Sequence, residues 1–317
     1  MPDVLTALLR HVRIETSLFG RIELGAPWGA RVGRRELVSL HHVLEGEMWI
    51  ELDGRELHVD RGDLLLLPHG APHCLRHQPG APVDDEDRWS SPPAPGTQAV
   101  RRRLGGSGAR TVVLCAAMSL VGAGRSLLLR ALPSVVLIDG GAGEPVPGLD
   151  RLLDGIRDEV RGQRPGAPIM AARFAELLLL QVIRAELARP APPGSWRAAL
   201  ADERVARALD ALYRAPERAW TVASLARSAG MSRSSFAQAF RGQVGESPLR
   251  HLLRWRMELA KEKLRDRPEL ALADVASSVG YRDEAAFNVA FRREVGVPPG
   301  AYRSGGRESR PAPAASS

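Results

Sequence analysis

An internal duplication within residues 201–303 constrains this chain more than any other feature of its 317 residues. Leu225-Ala226-Arg227-Ser228-Ala229-Gly230-Met231 lies over Val275-Ala276-Ser277-Ser278-Val279-Gly280-Tyr281 at an offset of 50. Beyond that turn the offset is 51, and Phe236, Phe240, Arg241, Val244 and Pro248 meet Phe287, Phe291, Arg292, Val295 and Pro299. Each copy reads as a short helix, a glycine whose missing Cβ permits a left-handed turn, and a second helix with aromatics at i and i+4 facing inward. A repeated supersecondary unit of this kind predicts two helix-turn-helix modules.

If the phenylalanines point into the core, the opposite face of each second helix is left for a partner. In the first copy that face presents Arg233, Ser234, Ser235, Ala237, Gln238 and Arg241; in the second, Arg282, Asp283, Glu284, Ala285, Asn288, Arg292 and Arg293. Arginines suit phosphates, Gln238 and Asn288 suit the adenine edge, and Glu284 can accept from cytosine. Thr221 and Ser232 are placed to cap the two helices of the first copy. Between the copies, Pro248, Leu249, Leu252, Leu253, Met257, Ala260 and Leu264 predict a rigid helix ending before Asp266-Arg267-Pro268, which would hold the reading helices at a fixed separation. The alternative is an all-helical interaction module with the same core pattern.

Charge distribution agrees with a nucleic-acid partner. The formal net charge is +7, and six of those units fall in residues 201–317. No apolar run approaches the roughly 20 residues needed to span a bilayer. The start, Met1-Pro2-Asp3-Val4, lacks a basic segment followed by an apolar signal core, so no membrane and a cytoplasmic location are expected. The two cysteines, Cys74 and Cys115, are too few for a disulfide framework, which predicts reduced thiols.

The first half reads differently. Leu37 to Leu40, Met48 to Leu52, Glu56 to Val59 and Leu64 to Leu67 are short strand-like runs separated by turn signals, with Asp53-Gly54 a hairpin dipeptide. Residues 79–110, rich in Pro, Gly, Ser and charge, predict a long mobile loop. Strands resume near Thr111 to Ala117 and Val135 to Ile138. From Leu149 the period becomes helical: Leu149, Leu152, Leu153, Ile156 and Val160 make one stripe, and Met170, Phe174, Leu177, Leu178, Gln181, Val182 and Leu187 another. Arg189-Pro190-Ala191-Pro192-Pro193-Gly194 then stops the second helix and predicts a boundary near 190–200.

The run from Gly280-Tyr281-Arg282 through Phe287-Asn288-Val289-Ala290-Phe291-Arg292 to Pro298-Pro299-Gly300-Ala301-Tyr302-Arg303 resembles the second-unit signature of the AraC/XylS family of transcription regulators. That resemblance implies sequence-specific binding near promoters, activation, contact with RNA polymerase, and a variable N-terminal effector domain that often dimerises. His42, Glu47 and Gly54 resemble the first cupin motif from its second His onward; Gly62, Pro68, Gly70 and His73 resemble the second. Metal-binding cupins supply two His and a Glu from the first motif and a His from the second, a set suited to a divalent transition metal. Here Leu40 stands at the first His position and His77 replaces the closing Asn.

His42, Glu47, His73 and His77 are therefore the effector-pocket candidates, and His42, His73 and Cys115 the candidates for a divalent metal such as zinc. Three readings stay open for them: internal hydrogen bonds, an organic effector pocket, or a metal site. The fold class expected is α+β multidomain: a cupin-like β-barrel sensor over 1–145, a helical connector over 146–195 that either dimerises or packs on the barrel, an all-α domain with two helix-turn-helix units over 196–305, and a disordered tail over 306–317. The function expected is a non-enzymatic, DNA-binding regulator that senses a small molecule or metal. The alternative is a cupin-type metalloenzyme with a helical accessory module.

Overall fold

The computed structural model describes residues 3–84, 100–140, 146–162 and 164–308. In chain order the elements begin with α1 (Val4–Leu9), β1 (Arg13–Gly25), β2 (Gly29–Val32), β3 (Val38–Glu45), β4 (Met48–Leu52), β5 (Arg55–Val59), β6 (Leu64–Leu67) and β7 (His73–Arg76). Then follow β8 (Val100–Gly105), β9 (Arg110–Val121), α2 (Arg125–Arg130), β10 (Val136–Ile138), α3 (Leu149–Gly162) and α4 (Ala167–Ala188). The remainder is helical: α5 (Trp196–Ala201), α6 (Glu203–Arg214), α7 (Val222–Ala229), α8 (Arg233–Val244), α9 (Pro248–Asp266), α10 (Leu272–Ser278), α11 (Glu284–Val295) and α12 (Pro299–Glu308).

Packing divides the chain into two units, one of Ile14–Leu120 and Ala131–Pro190, the other of Met1–Arg13, Val121–Arg130 and Ala191–Ser317. In the first, the barrel takes the form of two sheets, one of six strands ordered β10-β6-β3-β9-β1-β8 and one of four ordered β2-β7-β4-β5. The β4–β5 hairpin turns at Asp53-Gly54, where both residues have positive φ (51° and 72°), the conformation that matches the twist of the flanking strands. Odd-numbered residues of the central strands, Val43, Leu65, Leu67 and Val113, share the interior with Met48, Ile50 and Leu75 of the smaller sheet. Residues 85–99 of the loop expected over 79–110 lie outside the described residues. Val100–Gly105 is not loop but strand, pairing in parallel with Gly20–Gly25 of β1.

Helices α3 and α4 pack against each other in this unit. A Cβ on Gly155 would lie 2.8 Å from the Phe174 ring, so glycine is what admits that ring. The α3 stripe is buried at Leu149, Leu153, Ile156 and Val160, but on α4 Met170 and Leu177 are exposed and the buried face is Ala171, Ala175, Leu178, Val182 and Ile183.

The helical unit also holds α1 and α2. The first buries Val4, Ala7 and Leu8, and the indole Nε1 of Trp196 donates to the Leu127 carbonyl of the second at 2.8 Å. Residues 3–13 and 121–130, placed with the sensor region by sequence, thus count with this unit, and 131–190 count with the sheets. The expected tail begins inside α12, which reaches Glu308; residues 309–317 lie outside the described residues.

Candidate nucleic-acid interface and effector cavity

Helices α7 and α8 form one helix-turn-helix, α10 and α11 the other. Gly230 (φ 66°) and Gly280 (φ 84°) make the left-handed turns between them. A Cβ on Gly280 would also meet the Glu217 carbonyl oxygen at 2.6 Å, whereas one on Gly230 would come no closer than 4.0 Å, to Arg207 Nη2, so Gly230 is fixed by conformation alone. Thr221 Oγ1 accepts from Ser224 N at 3.0 Å, Ser232 Oγ from Ser235 N at 3.2 Å, and Asp283 Oδ1 from Ala286 N at 2.7 Å, so each of these helices starts with a donor satisfied. Asp283 is thereby engaged as a cap rather than free on the outward face.

Phe236, Phe240, Phe287 and Phe291 are fully buried, with ring centroids 5.5 Å apart within each pair. The reverse side of α8 leaves Arg233, Ser234, Ser235, Gln238 and Arg241 exposed and Ala237 half-buried. Around α11, Arg282, Glu284, Ala285, Arg292 and Arg293 are exposed and Asn288 is half-buried. The side chains of Arg233, Gln238, Arg241, Arg282, Asn288 and Arg292 make no hydrogen bond or ion pair among the described residues, so their polar groups are available to a ligand. Arg293 is 3.3 Å from Glu294, which Arg250 holds at 2.6 Å.

Between the two modules, α9 buries Pro248, His251, Leu252, Trp255, Met257, Leu259, Ala260 and Leu264. Leu249, expected on that stripe, is 44% exposed. Sequence reading left both His251 and Trp255 off this stripe, and for His251 the reason is that a hydrophobic count passes over a histidine. Here Tyr213 Oη stands 2.7 Å from His251 Nε2, and Glu246 Oε1 2.9 Å from Nδ1. Burial raises the Glu246 carboxyl pKa, but the hydrogen bond from His251 and the Arg254 charge outweigh it and leave it below its ordinary value. An ionised Glu246 accepts from Nδ1–H, and Nε2 accepts from the tyrosine hydroxyl.

In the sheet unit a cavity of ≈ 60 Å³ is lined by apolar side chains such as Leu24, Met48, Leu75 and Val113, with Ser39, His41 and Cys115 among its polar residues. His41 pairs with Cys115 across β3 and β9, and Nδ1 lies 3.2 Å from Sγ. Burial, with His73 beside it, pushes the His41 imidazole down to about 3, and burial pushes the Cys115 thiol up to about 12. His41 Nε2 is buried and has no hydrogen-bond partner.

None of the four sequence candidates lines this cavity. His42 is turned to the other face of β3, its Nδ1 donating to the Asp63 carbonyl at 3.0 Å near Arg157 and Asp150 of α3. Glu47 points outward to His58 Nε2 at 3.0 Å. His73 Nδ1 donates to the Ala71 carbonyl at 2.9 Å, leaving Nε2 unpartnered, and its ring meets His41 edge-on at 5.7 Å. His77 Nδ1 is 2.8 Å from the Trp28 carbonyl. The structure therefore brings His73 and Cys115 toward His41, not toward His42. Because β3 is buried on both faces from Val38 to Val43, hydropathy gives no sign of which histidine faces inward.

These donors do not fit a metal ion as they are placed. Among the described residues, the one group of three whose donor atoms lie within 4.8 Å of one another is Glu47, His58 and Asp60, away from the cavity. There the two carboxylates approach opposite nitrogens of the imidazole, Nε2 at 3.0 Å and Nδ1 at 3.3 Å.

Comparison with known proteins supports the two-part reading. A cupin family model matches residues 3–188, and a helix-turn-helix domain model matches residues 225–305. An AraC-like transcription regulator of Streptomyces lividans is 35% identical, covering 96% of this chain and 97% of the relative. Another from Streptomyces antibioticus is 33% identical over the same shares. The RCS-specific HTH-type transcriptional activator RclR of Escherichia coli (strain K12) is 27% identical, covering 98% of this chain and 100% of the relative. With a cupin region ahead of paired helix-turn-helix modules, and an AraC-like transcription regulator 35% identical to it over 96% of its length, the chain belongs to the AraC-like family of DNA-binding transcription regulators.

Proposed function

We propose that the sheet unit responds to a small molecule, that α8 and α11 enter successive major grooves of one duplex, and that the outcome is activation of transcription. The observation that carries the DNA arm is the set of polar side chains with no partner among the described residues, Arg233, Gln238 and Arg241 on α8, Asn288 and Arg292 on α11 and Arg282 just before it, on helices whose aromatic faces are spent on the core. The 19 residues of α9 make a rod about 28 Å long, comparable with the roughly 34 Å turn of DNA that separates successive major grooves on one face.

For the sensing arm, the cavity suits a small, largely apolar molecule with one hydrogen-bonding group opposite His41 Nε2. Such a ligand acts by favouring one arrangement of the chain over another, since equal affinity for both would shift nothing. The reading is non-enzymatic, because the donors a cupin metalloenzyme needs do not converge. RNA polymerase and a second copy of the chain are partners proposed from the family. No described helix is long and apolar enough to cross a membrane, and the location proposed is cytoplasmic.

Anisotropy titrations of upstream DNA at several salt concentrations test the DNA arm. Arg292→Ala is expected to weaken binding to all sequences and to reduce the salt slope by about 1, whereas Gln238→Ala weakens only duplexes with its preferred base. Unchanged binding in both variants overturns the assignment of these faces.

A further inference from the structure

The two recognition helices share an interior but not an exterior. With Phe236 matched to Phe287 and Arg241 to Arg292, Ser234 corresponds to Ala285, Ser235 to Ala286 and Gln238 to Val289. Every one of these six side chains is exposed. Val289 is 69% exposed, the most open of the large apolar side chains among the described residues. One turn separates it from Ala285 and one from Arg292 and Arg293, so the four lie along a single strip of α11. Arg282 precedes that strip, and neither Arg282 nor Arg292 has a partner among the described residues. Glu294 is turned away from solvent and held by Arg250 and Arg293.

An apolar strip between arginines is a poor match for water and a good match for one feature of the major groove. Thymine alone among the four bases carries a methyl group there, and small aliphatic side chains recognise it by contact. Arginines before and after the strip suit the phosphates on either side, which hold the helix at the depth such contact needs. The first helix has the hydrogen-bonding side chains Ser234 and Gln238 at the same two positions.

We infer that the two modules read by different chemistry: α8 by hydrogen bonds to base edges, and α11, beside the hydrogen bonds Asn288 can offer, by apolar contact of Val289 and Ala285 with thymine methyl groups. The operator is then asymmetric, with thymines facing the second module. This rests on the DNA-binding reading above, and its occupant is the duplex rather than another protein.

The test uses the full chain and its own selected DNA. In vitro selection is run in parallel for the wild type and Val289→Gln, both of which keep the buried face of α11 intact. The positions whose base preference differs between them mark the bases under Val289; the expected change is from thymine to adenine, the base a glutamine amide pairs with. The thymines so located are then replaced by deoxyuridine, which lacks only the C5 methyl. Wild-type affinity is expected to fall roughly fourfold per methyl removed, by the free energy of one buried methylene-sized group. Val289→Ala is expected to bind the thymine duplex more weakly and to be indifferent to the exchange at the base it no longer touches. Deoxyuridine under α8 should leave wild-type binding unchanged.

A selected site at which the thymine-to-uracil exchange has no effect, or identical preferences for wild type and Val289→Gln, overturns the apolar reading alone. Failure to select any site overturns DNA recognition, and this inference with it.

Discussion

Two buried histidines, one in each unit, show what separates a side chain that holds a fold together from one that waits for a ligand. His251 in α9 has both nitrogens engaged, Nδ1 on Glu246 and Nε2 on Tyr213, with the Trp196 and Phe240 rings each 5.7 Å away. His41 in β3 has only the Cys115 sulfur at Nδ1, and its Nε2 is buried with nothing to bond. Burial lowers both imidazole pKa values, so both are neutral at pH 7. A neutral ring has one donor and one acceptor nitrogen, and leaving either unmade in the interior costs about 1 to 3 kcal/mol. The helical unit avoids that cost through a closed polar chain. The sheet unit bears it beside a cavity, where a ligand can recover it.

The largest effect expected from this contrast is at the satisfied site. His251→Ala leaves the Tyr213 hydroxyl without its acceptor, removes the donor to Glu246 and opens a void under Trp196. Together these are expected to lower stability by about 3 to 4 kcal/mol. Urea denaturation followed by tryptophan fluorescence measures the change, and a loss below about 1 kcal/mol would show that the Tyr213–His251–Glu246 chain contributes little to the fold.

Acid is expected to act next most strongly, and on the other unit. The folded pKa of His41 is about 3, well below the ordinary value of 6.5, so between these limits the unfolded chain binds one proton that the folded chain refuses. Its contribution to stability is complete above pH 6.5 and is lost as pH falls toward 3, by up to about 1.4 kcal/mol per pH unit. His42, His73 and His251 are also lowered by burial and add slopes of the same sign. His41→Phe therefore reduces the pH dependence between 6.5 and 5 by up to about one proton without abolishing it. Equal slopes for variant and wild type in denaturation at stepped pH would place His41 in a wetter site than its burial indicates.

How much of this was legible beforehand depended on whether a residue obeyed its hydropathy. The turn glycines Gly230 and Gly280, the caps Thr221 and Ser232, the Asp53-Gly54 hairpin and the four phenylalanines follow from local rules, and the structure bears each out. The choice between His41 and His42 does not, because a strand buried on both faces has no alternation to read and a shift of one residue exchanges the faces. Nor does His251, whose burial depends on Tyr213, 38 residues earlier. Val289 was hidden for the opposite reason: an apolar residue on a helix is assigned to the core by default, and here it faces out.

The smallest expected effect is the sharpest for the comparison. At pH 7.5, His41→Phe replaces a ring that makes one weak contact with sulfur by one that needs no partner, next to a cavity able to take the added volume. The orphaned nitrogen disappears, and the lost S···N contact is offset by apolar burial, so stability should change by less than about 1 kcal/mol in either direction. The same chemical class of substitution at His251 breaks two hydrogen bonds, one to the buried Tyr213 hydroxyl and one to the half-buried Glu246 carboxylate. If His41→Phe instead destabilised by several kcal/mol at neutral pH, Nε2 would have to hold a partner in the native protein, and the cavity beside it would be a structural void rather than a place for an effector.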